Sequence, residues 1–179
     1  MSSLFSNPEE NIAYADIREG MCVADLGAGT GAYTIPLAKR VGYTGKVYAI
    51  EVQKDLLARI KEDAHRAHFS NVDVVWGDIE RLGGTKLASH IVDVAILANT
   101  LFLIKDKTAT IQEITRILKP EGKLLIIDWK DSYGGMGPSP EMLISKIKAE
   151  QLCNKHGFTL VRDVSAGPHH YGILLKKIQ

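Results

Sequence analysis

The stretch Asp25-Leu26-Gly27-Ala28-Gly29-Thr30-Gly31 constrains this chain more than any other. It continues the apolar run that begins at Cys22, and a cluster of alternating glycines stops that run because glycine alone turns freely into left-handed backbone. Strand, tight loop, helix is the reading. The alternation then repeats, with strands expected over Lys46 to Val52, Val72 to Gly77, Ile91 to Leu97 and Lys123 to Asp128, and helices over Lys54 to Phe69 and Thr108 to Lys119. Strands joined by crossover helices imply a parallel sheet.

The ends of the chain add to this frame. Asn7-Pro8-Glu9-Glu10 reads as a helix start running to about Ala15, since Asn accepts from orphan amides, proline fits the first turn, and carboxylates favour the positive helix end. Ser139-Pro140-Glu141 reads as the start of the last helix, which Gly157 closes. Phe158 to Val164 and Tyr171 to Lys176 read as strands, and the connection between them, Ser165 to His170, is so short that the pair must be antiparallel. Seven strands and five or six helices fill the 179 residues, so residues 1–179 are expected to be one domain, with 1–20 a leading helical segment over the site. A domain of this length removes about 70% of its extended surface from water without needing disulfides or a structural metal. Residues 133–138, with Gly134-Gly135-Met136-Gly137-Pro138, form the one flexible stretch and a candidate lid.

Charge narrows the partners. With 22 basic and 21 acidic residues the formal net charge is +1, which argues against holding nucleic acid or anionic lipid by field alone. The longest apolar stretch, Ile91 to Ile104, is interrupted by Asp93, Asn99 and Thr100 and falls short of the roughly 20 residues that cross a bilayer. The first residues show no basic region followed by an apolar run, so a cytoplasmic protein with reduced thiols is expected. Cys22 and Cys153 lie too far apart, with no neighbouring ligand, to suggest a metal cage.

The glycine spacing is Gly-x-Gly-x-Gly, not the Gly-x-Gly-x-x-Gly of dinucleotide binders, where a helix N-terminus meets a pyrophosphate. Gly27, Ala28, Gly29 and Gly31 leave bare backbone for an unphosphorylated ligand, and Asp25 beside them can hold a cation such as an α-ammonium. Glu51 stands twenty residues after Gly31 at the end of the next strand, where a carboxylate can accept from both ribose hydroxyls. Asp78 occupies the corresponding place after the third strand, suited to an exocyclic adenine amine, and Asn99 follows the fourth. Each acid alone reads as a solvated loop cap; four matches at successive strand ends point to one nucleoside pocket.

Val23 to Thr34, Tyr48 to Val52, Trp76 to Ile79, Asp93 to Asn99 and Leu118 to Asp128 together resemble the successive motifs of class I S-adenosylmethionine-dependent methyltransferases, most closely the branch that includes the ubiquinone and menaquinone biosynthesis enzymes. The resemblance implies an α/β, Rossmann-like, doubly wound sheet of order 3-2-1-4-5-7-6 with strand seven antiparallel. It implies S-adenosylmethionine as cofactor and S-adenosylhomocysteine as product, with Asp25, Gly27, Gly29 and Gly31 around the methionine end, Glu51 on the ribose, Val52 against adenine, Asp78 and Ile79 on the adenine edge, and Asn99 along the methionine moiety. Asn99-Thr100-Leu101-Phe102 stands where the nucleobase amine methylases carry Asn/Asp-Pro-Pro-Tyr/Phe, so a small-molecule acceptor is expected. The substrate cap of larger family members is missing from the pattern.

Methyl transfer from a sulfonium needs alignment and, for a poor nucleophile, removal of a proton; positioning contributes about 7–11 kcal/mol. The candidates for proton removal are His169 and His170, in the turn before the last strand, because imidazole titrates near neutrality. The plainer reading of both is an exposed turn. Trp129 and Tyr14 read as packing residues, and His65 and His68 as a solvated helix face. Two other functions remain beside methyl transfer: a non-catalytic module that keeps the nucleoside pocket and docks a protein or RNA, and an NAD-dependent oxidoreductase, which the glycine spacing disfavours.

Overall fold

The computed structural model describes residues 6–178. Seven strands form one sheet in the order β3-β2-β1-β4-β5-β7-β6. They are β1 (Cys22–Leu26), β2 (Lys46–Glu51), β3 (Val72–Trp76), β4 (Val92–Ala98), β5 (Leu118–Trp129), β6 (Phe158–Val164) and β7 (His170–Lys177), with helices α1 (Pro8–Ala13), α2 (Thr34–Val41), α3 (Lys54–Arg66), α4 (Lys107–Ile117) and α5 (Lys146–Asn154). β7 runs antiparallel to both β5 and β6, and the other neighbouring pairs are parallel. This is the expected sheet.

The central strands are buried on both faces, which is why they read as nearly unbroken apolar runs. Leu26, Leu97, Leu124, Ile126, Ile173 and Leu175 point to one face and meet Ile111, Ile114 and Ile117 of α4 and Ala149 and Cys153 of α5. Val23, Val47, Ile96, Leu125, Ile127 and Leu174 point to the other, against Ile12 of α1 and Leu37, Ala38 and Val41 of α2. No helix among the described residues is long and apolar enough to cross a membrane.

Of the boundaries that differ from expectation, two have a clear local reason. The helix expected to reach Lys119 ends at Ile117, because Leu118 is already extended and paired with Val92 in the sheet. Pro120 disfavours helical backbone at Lys119, and the buried Lys177 ammonium donates to the carbonyls of Thr115 and Leu118 at the helix end, at 2.9 and 3.0 Å. The last helix starts at Lys146, not at Ser139. The Ser139 hydroxyl donates to Glu141 and leaves the Ser139 turn uncapped, whereas Ser145 accepts from the Lys148 amide and serves as the N-cap. Only a 3₁₀ turn, Pro140–Met142, remains of the earlier start.

The crossover from β3 to β4, residues 77–91, contains no helix. It is held instead by Glu113 of α4, whose carboxylate is fully buried and accepts from the amides of Gly83 (2.7 Å) and Thr85 (3.1 Å), the Thr85 hydroxyl and the Arg116 guanidinium (2.8 Å). Burial pushes this carboxyl up, but the hydrogen bonds outweigh it and bring it down to about 2.

Candidate active site

A cleft of about 390 Å³ opens at the carboxyl edge of β1 to β4, where open α/β sheets hold ligands. The glycine loop forms one wall. The Gly27 and Ala28 amides both donate to the Ile50 carbonyl, at 2.9 and 3.0 Å, which ties the loop to the end of β2. Gly27 has φ +69°, and a Cβ there would lie 2.7 Å from Cγ2 of Thr100, so no larger residue fits. At Gly29 the space on the Cβ side is open to 4.0 Å. Gly31 does not line the cleft; its backbone at φ +83° packs against Ile60 of α3, and its role is to shape the turn.

Glu51 ends β2 with its carboxylate turned inward and 7% exposed. One oxygen accepts from the Gly29 amide at 2.9 Å; the other accepts from the amides of Val52 (2.9 Å) and Gln53 (3.1 Å) at the start of α3. Three amides thus fix the acid against the glycine loop, a link that the reading of Glu51 as a free ribose acceptor did not contain. Asp25 is 2% exposed and accepts from the Thr34 hydroxyl at 2.6 Å. Burial pushes its carboxyl up to about 6, the Thr34 hydrogen bond opposes this, and the Glu51 charge adds to it.

Val52, Asp78, Ile79 and Asn99 complete the cleft beyond the acids already described. Asp78 accepts from the Glu80 amide at 2.9 Å and pairs with Arg81 at 3.2 Å. Asn99 adopts left-handed backbone, φ +52°, and its side-chain oxygen is buried without a hydrogen-bond partner. A non-glycine residue at positive φ with an orphaned acceptor costs free energy and is found where a site over-determines the backbone. Among the described residues the lining contains four carboxylates, Asp25, Glu51, Asp78 and Glu80, and no lysine, arginine or histidine.

Among the side chains that sequence reading missed here are Glu80, a fourth carboxylate of the lining, Thr34 and Tyr33. Thr34 orients Asp25, and its position at the helix start after Gly31 was the available signal. Tyr33 lines the cleft, and its hydroxyl accepts from the side-chain amide of Asn11 at 2.7 Å, so α1 touches the cleft wall. Of the leading segment, residues 1–5 lie outside the described residues.

His169 and His170 do not line the cleft. They lie at the same edge of the sheet, two strands beyond Asn99. His170 is the first residue of β7 and 4% exposed, with its ring 4.2 Å from that of its register partner Trp129. It is therefore part of the sheet and not an exposed turn. His169 meets Asp131 at 2.7 Å and stacks on Tyr133. Tyr14 and Trp129 are half-buried, and His65 and His68 are exposed.

A family model described as a methyltransferase domain matches residues 17–173, which takes in the glycine loop, every acid of the cleft and the sheet that carries them. The chain belongs to the class I S-adenosylmethionine-dependent methyltransferases. Among solved structures, this methyltransferase is similar to an S-adenosylmethionine-dependent methyltransferase from Aquifex aeolicus, at 31% identity and TM-score 0.87 over 97% of this chain and 90% of that one. Among curated proteins it is 30% identical to an arsenite methyltransferase of Aquipseudomonas alcaligenes, over 84% of this chain and 47% of the relative. It is 31% identical to a ubiquinone/menaquinone biosynthesis C-methyltransferase of Pseudoalteromonas translucida, over 67% of this chain and 47% of the relative. The chain spans about half the length of the curated relatives it matches.

The family's cofactor fits the residues present. S-adenosylmethionine offers an ammonium, a sulfonium, ribose hydroxyls and an adenine amine to the cleft's carboxylates and unpartnered amide oxygen, and its single α-carboxylate calls for backbone amides, there being no basic side chain in the described lining. A pyrophosphate would face the same carboxylates with like charge.

Proposed function

We propose that this chain binds S-adenosylmethionine in the cleft and passes its methyl group to a small organic acceptor. The observation that carries this reading is the lining itself: four carboxylates, of which only Asp78 has a basic partner among the described residues, in Arg81, favour a cationic, donor-rich ligand. When bound, the cofactor supplies an electrophilic methyl group. The protein's part is to hold and orient. Asp25 pairs with the ammonium, Glu51 accepts from the ribose, Asp78 and Ile79 meet the adenine edge, Val52 covers its face, and Asn99 takes a donor from the methionine end. Gly27 and Gly29 keep the loop thin enough for close approach, Gly31 shapes the turn behind it, and the leading helix closes the wall through Asn11 and Tyr33.

The acceptor belongs on the β5 and β7 side, near His169 and His170. An organic acceptor is favoured over the arsenite named for one relative, because trivalent arsenic is a soft centre held by thiolates. Cys22 lies at the start of β1, the edge away from the cleft, and Cys153 is buried in α5, its thiol pushed up to about 12 by burial.

Calorimetry tests the reading. S-adenosylhomocysteine should bind with NAD silent, and release of S-adenosylhomocysteine should depend on an added acceptor. His169→Ala and His170→Ala should lower that release and leave S-adenosylhomocysteine affinity unchanged. Binding of NAD with S-adenosylhomocysteine silent would refute the assignment.

A further inference from the structure

Beyond the cleft, the carboxyl edge carries a second set of polar groups that has a built geometry. β5 ends at Trp129 and β7 begins at His170, and the next residues continue the contact, with the Lys130 amide donating to the His169 carbonyl at 3.0 Å. Asp131 then turns back to within 2.7 Å of Nδ1 of His169. A carboxylate there accepts, so Nδ1 is the nitrogen that donates, and whenever the ring carries a single proton its lone pair is on Nε2. The Tyr133 ring stacks on the imidazole with centroids 4.1 Å apart and planes 25° apart. Tyr133 and Met136 exchange backbone hydrogen bonds of 3.2 and 2.8 Å. Gly137 settles on Trp129, where a Cβ would lie 2.8 Å from the indole, and the Ser132 hydroxyl donates to the Pro138 carbonyl. Residues 131–138 are thereby folded onto the histidine pair.

The two histidines differ in kind. Both ring nitrogens of His170 are buried without partners, and burial, with His169 and Lys130 nearby, lowers its pKa to about 4 despite the opposing Asp131 charge. It is neutral near pH 7 and a weak base. His169 has one nitrogen anchored and 15% of its side chain exposed. Its ring faces the Asp131 carboxylate and lies under the Tyr133 phenol, and its carbonyl takes the Lys130 amide.

We propose that Asp131 is a positioning residue, holding His169 in the tautomer whose bare Nε2 takes the proton from a hydroxyl-bearing methyl acceptor. This rests on the methyltransferase reading above. β7 lies two strand spacings from β4, about 10 Å, which the imidazole and a small acceptor span between them. The acceptor oxygen loses its proton to Nε2 and bonds to the methyl carbon as the carbon–sulfur bond breaks, with that bond's electron pair staying on sulfur. Asp131 neutralises the imidazolium that results. A base is required only when the nucleophilic atom must shed a proton, which excludes a tertiary amine or thioether and leaves the proton-bearing acceptors, of which the hydroxyl is the class proposed.

Nuclear magnetic resonance of ¹⁵N-histidine-labelled protein with S-adenosylhomocysteine present decides the positioning role. Long-range proton–nitrogen correlations at pH 8 should report His169 as the Nδ1–H tautomer, and Asp131→Ala should shift it toward the Nε2–H form that free imidazole side chains prefer. A wild-type Nε2–H tautomer, or spectra unchanged by Asp131→Ala, overturns the proposal. Asp131→Asn, which keeps shape and removes charge, is the second variant should the alanine protein misfold, and it should depopulate the same tautomer. On a panel of phenols, enols and hydroxy acids, both variants should lower kcat at least tenfold with KM unchanged. Unaltered kcat overturns the positioning role of Asp131, and the lack of any hydroxyl acceptor overturns the acceptor class. Calorimetry on the same samples separates the two readings: loss of S-adenosylhomocysteine binding in the wild type defeats the methyltransferase proposal, whereas intact binding with an unresponsive His169 defeats only this one.

Discussion

Asp25→Asn should make the free protein more stable and its cofactor binding weaker. The carboxyl of Asp25 is raised by burial from 3.8 to about 6, a difference of about 2.2 units, or about 3 kcal/mol at 1.36 kcal/mol per unit. A folded-state pKa above the unfolded one means that the proton stabilises the fold: the contribution is complete below pH 3.8 and is lost as pH rises through 6. Asparagine has no such titration and still accepts from the Thr34 hydroxyl. The stability gap in favour of the variant should therefore widen from about 0.6 kcal/mol at pH 4 to about 3 kcal/mol at pH 8, as linkage between those two pKa values requires. At neutral pH and above this corresponds to a rise in Tm of roughly 6–12 °C for a domain of this size. Urea denaturation followed by circular dichroism across that pH range, on wild type and variant in parallel, cancels the contribution of Asp128, which burial also raises to about 6.

Cofactor binding should move in the opposite direction. Loss of a charge-assisted contact to the ammonium should weaken S-adenosylhomocysteine by about 1.5–3 kcal/mol at pH 8. The wild-type affinity should fall toward that of the variant below pH 6, where Asp25 becomes protonated. A gap in stability that is flat with pH, or a variant less stable than wild type at pH 8, would refute the claim that Asp25 is held at a cost until a cation arrives.

Gly27→Ala should destabilise by about 2–4 kcal/mol, combining overpacking against Thr100 with left-handed backbone at φ +69°. Gly27→Ala with Thr100→Ser removes the clashing methyl and should recover part of the loss; no recovery in thermal unfolding would mean that the contact is not the cause. Glu51→Ala should weaken S-adenosylhomocysteine by at least about 1.5 kcal/mol and raise hydrogen exchange at the Gly29 amide, which loses its acceptor. Unchanged exchange at Gly29 would show that the acid does not hold the loop. Glu113→Ala should cost about 3 kcal/mol in urea unfolding, since it leaves Arg116 and the amides of Gly83 and Thr85 without their shared partner. A loss under 1 kcal/mol would place the strength of the 77–91 crossover elsewhere.

Much of this was legible in the sequence because strands buried on both faces leave continuous apolar runs, and because the five residues between β6 and β7 permit only an antiparallel return. Three of the four acids of the cleft, Asp25, Glu51 and Asp78, were legible at strand ends, and Glu80 was not read. Their mutual arrangement was not: the bond from Gly29 to Glu51 depends on how closely β1 and β2 bring two loops together. Ser139 and Ser145 are equally good caps on paper, and the choice between them turns on a carboxylate, Glu141, that takes the Ser139 hydroxyl. Thr34 could have been found, since it opens the helix that follows the glycines. Asp131 could not, because it stands 38 residues from His169 and meets it only when β5 and β7 become neighbours.

The reversed strand is what makes those two residues meet at the right edge. In a parallel sheet the residues that precede a strand lie at its amino edge, away from the ligand, and a histidine pair before a parallel β7 would sit at the bottom of the molecule. Because β7 runs the other way, its first residues arrive at the carboxyl edge beside the end of β5. The pairing is continuous from Lys123 with Lys176 to Trp129 with His170, so the register of seven positions fixes which face each side chain takes. A one-residue slip would move His170 off Trp129 and to the opposite face. The feature that distinguishes this sheet from an all-parallel one therefore has a consequence for chemistry: the parallel half carries acids at its carboxyl edge, and the antiparallel strand delivers imidazoles to the same edge.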